Sequence, residues 1–129
     1  MESKSFTVLV VDDETLLRES VVRDFKRKGF NVLSAENGEV ALRLLDESKI
    51  DVVVSDVRMP GGDGLTLLEK LRSRHPAWPP VILVTGYADL SEKELMKKGA
   101  YKYISKPFVR KELLSAVLAA LEIQFQDVF

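Results

Sequence analysis

The feature of this sequence that most restricts its fold is a regular alternation of two hydrophobic patterns. Short runs of apolar, mostly β-branched residues alternate with longer stretches in which apolar residues recur at every third or fourth position, which predicts strands and helices in succession. The predicted strands are Phe6–Val11, Asn31–Ser34, Asp51–Ser55, Val81–Thr85 and Tyr101–Ser105. Because parallel neighbours need a crossover connection, five strands that each precede a helix favour a parallel sheet.

Three of these strands indicate how many layers surround the sheet. Val8–Val11, Val52–Val54 and Val81–Val84 are apolar at every position, which is typical of strands that have helices on both faces. Right-handed crossovers then place the helices in two outer layers. We therefore expect an α/β fold, a three-layer αβα sandwich around one five-stranded parallel sheet with five helices.

Residues at the helix ends support this division of the chain. Gly29 follows the first helical stretch and is a natural stop signal. Ser91 and Glu94 form a capping box that starts the fourth helix, and Gly99 ends it after about two turns. So short a helix, with few apolar anchors, is a candidate for movement.

Chain length and loop composition complete the expected domain organisation. A chain of 129 residues suits one compact domain. We expect a single domain over residues 1–129, with a core at about 5–121 and with residues 124–129 as a tail or a linker stub. Gly61 and Gly62 predict a mobile loop after the third strand.

Composition excludes several classes of function. The 19 Lys and Arg residues nearly balance the 20 Asp and Glu residues, so net charge gives no case for binding nucleic acid or an anionic membrane. The absence of cysteine excludes disulfides, thiolate metal sites and a cysteine nucleophile. His75 is the only histidine, which argues against a multi-histidine metal site. No apolar run approaches the roughly 18 residues of a membrane span, and we expect a soluble, cytoplasmic protein.

Polar residues stand where the predicted strands end. In open parallel sheets, ligands bind outside the carboxyl ends of the strands. Taken singly, each polar residue there has an ordinary explanation, such as a helix cap at Asp13 or a solvated lysine at Lys106. The strand-end set is Asp12, Asp13, Glu14, Asp56, Thr85 and Lys106.

Taken together, these residues predict a site for phosphoryl transfer. Clustered carboxylates repel one another unless a cation neutralises them, and carboxylate oxygens suit Mg²⁺. Lys106 offers a point charge for a phosphoryl oxygen, and Thr85 offers a hydroxyl donor. Asp12 and Asp13 form a pair suited to holding the metal. Asp56 stands alone on a central strand and is the better candidate for a nucleophile.

At this point the sequence resembles a known family, the receiver domains of two-component response regulators. The resemblance extends from about Ser5 to Leu121. Its motifs are Val10-Val11-Asp12-Asp13-Glu14, then Ser55-Asp56-Val57-Arg58-Met59-Pro60 with Gly64, then Val84-Thr85-Gly86, and finally Ser105-Lys106-Pro107-Phe108. Each motif alone is a weak signal, whereas four in order at strand ends are a strong one.

The resemblance implies a role for each residue of the site. Asp56 is implied to be the phosphoacceptor, and Lys106 to pair with the phosphoryl group. Asp13 is implied to bind Mg²⁺ directly, Asp12 to hold it mainly through water, and Arg58 to contribute its backbone carbonyl.

The resemblance also implies a switch, a fold and partners. Thr85 is implied to shift toward the phosphoryl group while Tyr103 turns inward. The implied fold is flavodoxin-like, with strand order 2-1-3-4-5. A sensor histidine kinase or a phosphotransfer protein would donate the phosphoryl group, and the surface of helix 4, strand 5 and helix 5 would act on an effector or form a homodimer. No separate substrate is turned over, and neither direct nucleic-acid contact nor membrane insertion is implied.

Three other functions stay open at this stage. An aspartyl-nucleophile phosphatase or phosphotransferase usually carries Asp-x-Asp, whereas Asp56-Val57-Arg58 lacks the second acid. A flavin-binding module would need a phosphate-cradling loop after the first strand, where this chain has acids. A phosphorylation-independent binding module would not need the complete set of site residues.

Overall fold

The computed structural model describes residues 6–59, 63–86 and 91–128, the last six of them by backbone alone. Strands and helices alternate five times, as the sequence predicts. The strands are β1 Thr7–Val11, β2 Asn31–Ala35, β3 Val52–Asp56, β4 Val81–Thr85 and β5 Lys102–Ser105. The helices are α1 Thr15–Arg27, α2 Gly38–Glu47, α3 Gly64–Arg74, α4 Glu92–Lys97 and α5 Arg110–Val128.

All strand pairs in the sheet are parallel, and the order is β2-β1-β3-β4-β5. This order confirms the predicted flavodoxin-like fold. Val8 pairs with Val52, and Thr85 pairs with Ser105. The direction in which successive strands are added reverses beside β1, and this reversal creates a crevice at the carboxyl edge of the sheet. The ends of β1 and β3 lie next to each other at that crevice.

The core divides into one layer on each face of the sheet. Val8 and Val10 pack on the side of α1 and α5, whereas Leu9 and Val11 pack on the side of α2, α3 and α4. This alternation follows from the two-residue period of a strand. Because all four side chains are almost fully buried, β1 is covered on both faces, as its apolar sequence predicts.

Local signals define several helix ends as expected. Asn37 caps α2 by accepting a hydrogen bond from the backbone N–H of Val40 at 2.9 Å. Ser91 caps α4 by accepting one from the N–H of Glu94 at 3.1 Å. Gly29 and Gly99 take the left-handed conformation, with φ of 92° and 103°, just after α1 and α4.

Four of the five strands differ from the sequence expectations by one residue at one or both ends, and some helix ends differ as well. Asp56 is the last residue of β3 rather than the first residue after it. Glu14 occupies the N-cap of α1 and makes no side-chain capping bond, so the explanation of Asp13 as a helix cap is wrong. α5 continues to Val128, and no Gly or Pro interrupts it there; the expectation that residues 124–129 are a tail or a linker stub stays a prediction.

Two further expectations concern the glycine-rich loop after β3 and the absence of a membrane span. Gly61 and Gly62, for which a mobile loop is expected, lie outside the described residues. Within the residues that are described, no helix combines the length and the apolar character needed to cross a membrane.

Candidate functional site

Three aspartates meet at the carboxyl edge of the sheet. Asp12 and Asp13 follow β1, and Asp56 ends the neighbouring β3. One carboxylate oxygen from each lies within 4.8 Å of the others. Asp12 and Asp56 are both only 7% exposed, whereas Asp13 is exposed. The structure therefore brings together the three acids that the sequence places at strand ends.

Lys106 is the cation that faces this cluster. Its Nζ donates a hydrogen bond to Oδ2 of Asp56 at 3.0 Å and lies 3.7 Å from carboxylate oxygens of both Asp12 and Glu14. Its backbone N–H donates to the carbonyl of Thr85 at 2.8 Å, which fixes the turn after β5. The Lys106–Pro107 peptide is cis. One lysine thus serves three carboxylates.

Burial and the neighbouring carboxylates act on the pKa of Lys106 in opposite directions. Burial alone would lower this pKa. The hydrogen bond to Asp56 and the charges of Asp12, Asp56 and Glu14 outweigh burial, and the pKa of Lys106 is raised above its ordinary value. Lys106 is therefore held in its charged form at neutral pH.

Asp12 is fixed through every polar group it has. Its backbone N–H donates to the carbonyl of Ala35 at 3.1 Å, and its Oδ1 accepts from the N–H of Glu14 at 2.9 Å. Its carbonyl accepts from a guanidinium nitrogen of Arg18 at 2.7 Å. Burial raises the pKa of Asp12, although the bond from Glu14 and the charge of Lys106 oppose this effect. The negative charges of Asp56 and Glu14 add to the increase.

The backbone around Asp56 is closed by the start of α3. Ser55 Oγ donates to the Asp56 carbonyl at 2.9 Å, and the N–H of Gly64 donates to the Val57 carbonyl at 2.8 Å. A Cβ atom added at Gly64 would overlap the carbonyl oxygen of Asp56. Only glycine therefore lets α3 begin this close to the strand that carries Asp56.

Three more predicted residues lie near the same edge. Thr85 ends β4 and is 1% exposed. Arg58, which is exposed, follows β3 by two positions. Tyr103 is half-buried against the core on the side of α3 and α4, and its hydroxyl accepts from Ser105 Oγ at 3.4 Å. These placements agree with the sequence analysis, and the roles of the three residues stay predictions.

Sequence reasoning missed two contributors to the site, Arg18 and the Ser55 hydroxyl. Arg18 lies in the first turn of α1, six positions after Asp12. Its spacing is a weak signal, since a basic side chain on the helix after an acidic strand end can reach back to that end. No local pattern marks the role of Ser55. Alternate strand residues point to opposite faces of the sheet, and because both faces are buried here, the pattern does not show which one Ser55 faces.

The donor set fits a small, hard divalent cation. Carboxylate oxygens are the preferred protein ligands of Mg²⁺, which usually binds one or two of them together with water. The four carboxylates of Asp12, Asp13, Glu14 and Asp56 carry more negative charge than Lys106 and the nearby Arg18 together neutralise. The acidic cluster therefore offers both the ligand atoms and the excess charge that such an ion requires.

Comparison with known proteins identifies the family that this arrangement resembles. The family model for the response regulator receiver domain matches residues 8–118. The regulatory protein AtoC of Escherichia coli is 41% identical over 118 residues, which cover 91% of this chain and 25% of AtoC. The chain thus spans about a quarter of the length of that relative.

Solved structures show the same fold. A CheY-like receiver domain protein from Methanospirillum hungatei superposes with a TM-score of 0.87 at 29% identity, covering 95% of this chain and 98% of that one. The response regulator TrrA of Thermotoga maritima, solved in complex with Mg²⁺ and BeF, superposes with a TM-score of 0.80 at 32% identity. That match covers 89% of this chain and 98% of TrrA.

Proposed function

This chain belongs to the family of response regulator receiver domains, and on that premise we propose that it is the phosphoacceptor switch of a two-component phosphorelay. The observation that carries the proposal is the hydrogen bond of 3.0 Å between Lys106 and Asp56 inside a cluster of three aspartates. An isolated surface aspartate would have neither a desolvated partner lysine nor neighbouring acids to bind a metal.

The proposed reaction transfers a phosphoryl group from a histidine to Asp56. A carboxylate oxygen of Asp56 attacks phosphorus, so that a P–O bond forms while the P–N bond of the phosphohistidine breaks. The electron pair of that bond returns to the imidazole nitrogen. Lys106 already donates to the Asp56 carboxylate and is placed to donate to a phosphoryl oxygen as charge develops there.

A divalent ion completes the proposed site. When bound, Mg²⁺ supplies positive charge that offsets the negative charge of the transferring group. The groups that would hold it are the carboxylates of Asp12, Asp13 and Asp56 and the backbone carbonyl of Arg58. The closely spaced oxygens of the three aspartates support this assignment.

The phosphorylated state would act as a switch through new contacts at the same edge. A phosphoryl group adds roughly two negative charges beside Asp56. Lys106 and Thr85 would gain a partner that exists only in this state, and Tyr103 would turn inward as Thr85 shifts. The equilibrium would then favour another packing of α4, β5 and α5. The short α4, with six residues, suits that role.

The proposed partners follow from the family. A sensor histidine kinase or a phosphotransfer protein would donate the phosphoryl group. The output would pass through the surface of α4, β5 and α5 to an effector domain, a separate protein or a second copy of the chain. The regulatory protein AtoC, of which this chain covers 25%, supports a further domain as one such effector. The domain would assist its own phosphorylation and dephosphorylation and would turn over no separate substrate.

The test is phosphorylation by a small acyl phosphate. The protein is incubated with Mg²⁺ and acetyl phosphate, and its intact mass is measured. We expect the mass of one phosphoryl group to be added, and we expect Asp56→Asn to abolish the addition. Asp46→Asn is the matched control, because Asp46 is an exposed aspartate elsewhere on the domain.

Two results would contradict the proposed function. Phosphorylation that persists in Asp56→Asn would move the acceptor to another residue. Continuous turnover of a phosphate ester would instead favour an aspartyl-nucleophile phosphatase.

A further inference from the structure

One contact of the site, made by Arg18, is not explained by any of the roles predicted from the sequence. Arg18 donates a hydrogen bond from its guanidinium to the backbone carbonyl of Asp12 at 2.7 Å. Arg18 is half-buried, and its own backbone N–H donates to the carbonyl of Glu14 at 2.9 Å in the first turn of α1. The guanidinium is therefore anchored by the helix and reaches back over the loop between β1 and α1.

The bonded oxygen belongs to the peptide unit that joins Asp12 to Asp13. Because a peptide unit is planar, holding this oxygen sets the plane of the unit and the direction in which the chain enters Asp13. The other side of Asp12 is already held by its N–H bond to Ala35. The remaining rotation of this peptide is limited by the bond from Arg18 to the Asp12 carbonyl together with the bond from the Glu14 N–H to Asp12 Oδ1.

We propose that Arg18 is a positioning residue of the acidic site, which orients the Asp12–Asp13 peptide so that both carboxylates face one divalent ion. This inference rests on the metal site of the proposed function. Partners that orient metal ligands from behind typically change metal affinity by 10–100-fold when removed. Asp13 depends most on this orientation, because its exposed side chain gains little support from burial.

Geometry and charge predict opposite effects for removal of Arg18. Arg18 is a cation beside a cluster with excess negative charge. If it acted through its charge alone, its loss would strengthen the binding of Mg²⁺. If it positions the ligands, its loss weakens that binding. The sign of the change therefore separates the two explanations.

The experiment measures Mg²⁺ affinity of the full chain by isothermal titration calorimetry. We expect Arg18→Met, which keeps a long apolar stem without the donors, to bind Mg²⁺ about tenfold more weakly than the wild type. Arg18→Lys retains a charge and one donor group, and we expect an intermediate loss. Arg23→Met is the matched control, since Arg23 is an exposed arginine on the same helix, and we expect no such weakening there.

A second readout reports the loop directly. The N–H of Glu14 donates to Asp12 Oδ1, and we expect its hydrogen exchange without metal to accelerate in Arg18→Met but not in Arg23→Met. If Arg18→Met does not fold, Arg18→Lys carries both measurements.

The outcomes separate this inference from the function it rests on. Unchanged or tighter Mg²⁺ binding in the Arg18 variants, with normal binding by the wild type, overturns the positioning role alone. A wild-type protein that binds no Mg²⁺ overturns the metal site itself and this inference with it.

Discussion

Opposite edges of the sheet each hold a close contact between a cation and a carboxylate. At the amino edge, Arg74 lies 2.7 Å from Asp46, and their side chains are 47% and 62% exposed. At the carboxyl edge, Lys106 lies 3.0 Å from Asp56, and their side chains are only 18% and 8% exposed. We expect the shorter contact to be the weaker one, because water screens an exposed pair to about 1 kcal/mol or less.

The two edges also differ in how their charges balance. Arg74 faces one carboxylate, whereas Lys106 faces those of Asp12, Glu14 and Asp56. The pKa of Lys106 is raised because its hydrogen bond to Asp56 and the charges of Asp12, Asp56 and Glu14 together overcome the opposing effect of burial. A balanced pair at the surface adds little to stability. An unbalanced cluster in a crevice instead favours any further cation that can enter.

Removal of Lys106 should have the largest effect on stability of the substitutions at the two edges. Lys106→Met leaves the partly desolvated acids without their ion-pair partner, and we expect the free energy of unfolding to fall by about 2 kcal/mol in the absence of Mg²⁺. Addition of Mg²⁺ should recover much of that loss. Urea unfolding with and without Mg²⁺ measures both effects. A variant as stable as the wild type without metal would show that the acids need no partner.

Neutralising Asp12 should produce a smaller effect of opposite sign. Because burial, together with the charges of Asp56 and Glu14, raises the pKa of Asp12, the ionised form costs stability at neutral pH. We expect Asp12→Asn to raise the midpoint of thermal unfolding at pH 7 by a few degrees without Mg²⁺. Asparagine keeps an oxygen that can accept from the N–H of Glu14.

The pH dependence of this gain follows from the direction of the shift. The cost of the ionised carboxylate is fully present above the raised pKa of folded Asp12. It declines as the pH falls through that value and is gone below the ordinary value of 3.8. Melting curves at several pH values should therefore show the advantage of Asp12→Asn shrinking in acid. If the stability gain of Asp12→Asn did not depend on pH, it would have a cause other than the ionisation of Asp12.

The exposed pair at the amino edge should give the smallest effect. We expect Arg74→Ala to change the free energy of unfolding by less than about 0.5 kcal/mol. A double-mutant cycle with Asp46→Ala isolates the coupling between the two residues, and added salt should reduce it further. A coupling as large as the effect of Lys106→Met would mean that exposure does not separate the two edges.

The positions of the acidic residues were largely predictable because they depend on the topology of the sheet. Parallel strands end at one edge, so Asp12, Asp56 and Lys106 can be placed together from the order of strands alone. The roles of Arg18 and Gly64 could not be predicted in this way. Their roles depend on a guanidinium that folds back to a carbonyl and on a helix that starts against a strand. Both are contacts with backbone atoms. The spacing of Arg18 is only a weak signal, and Gly64 enters the sequence analysis only as part of the family motif.

Helix boundaries show the same division between local and tertiary information. Ser91 and Gly99 mark α4 through local hydrogen bonding and a left-handed residue, and both predictions are confirmed. Asp13 has the residue type of a helix cap but does not cap α1, because the turn fixed by Asp12 places Glu14 at that position. The fold itself was predictable because it depends on the repeated alternation rather than on any single boundary.

The strand order has a consequence for a chain that is still incomplete. Asp56 and Lys106 are 50 residues apart, and β3 and β4 separate the strand before Asp12 from the strand before Lys106. A nascent or partly unfolded chain can contain all the acids of the site while Lys106 is not yet beside them. The cluster of Lys106 and the three aspartates is therefore complete only after β5, the last strand of the chain, has joined the sheet.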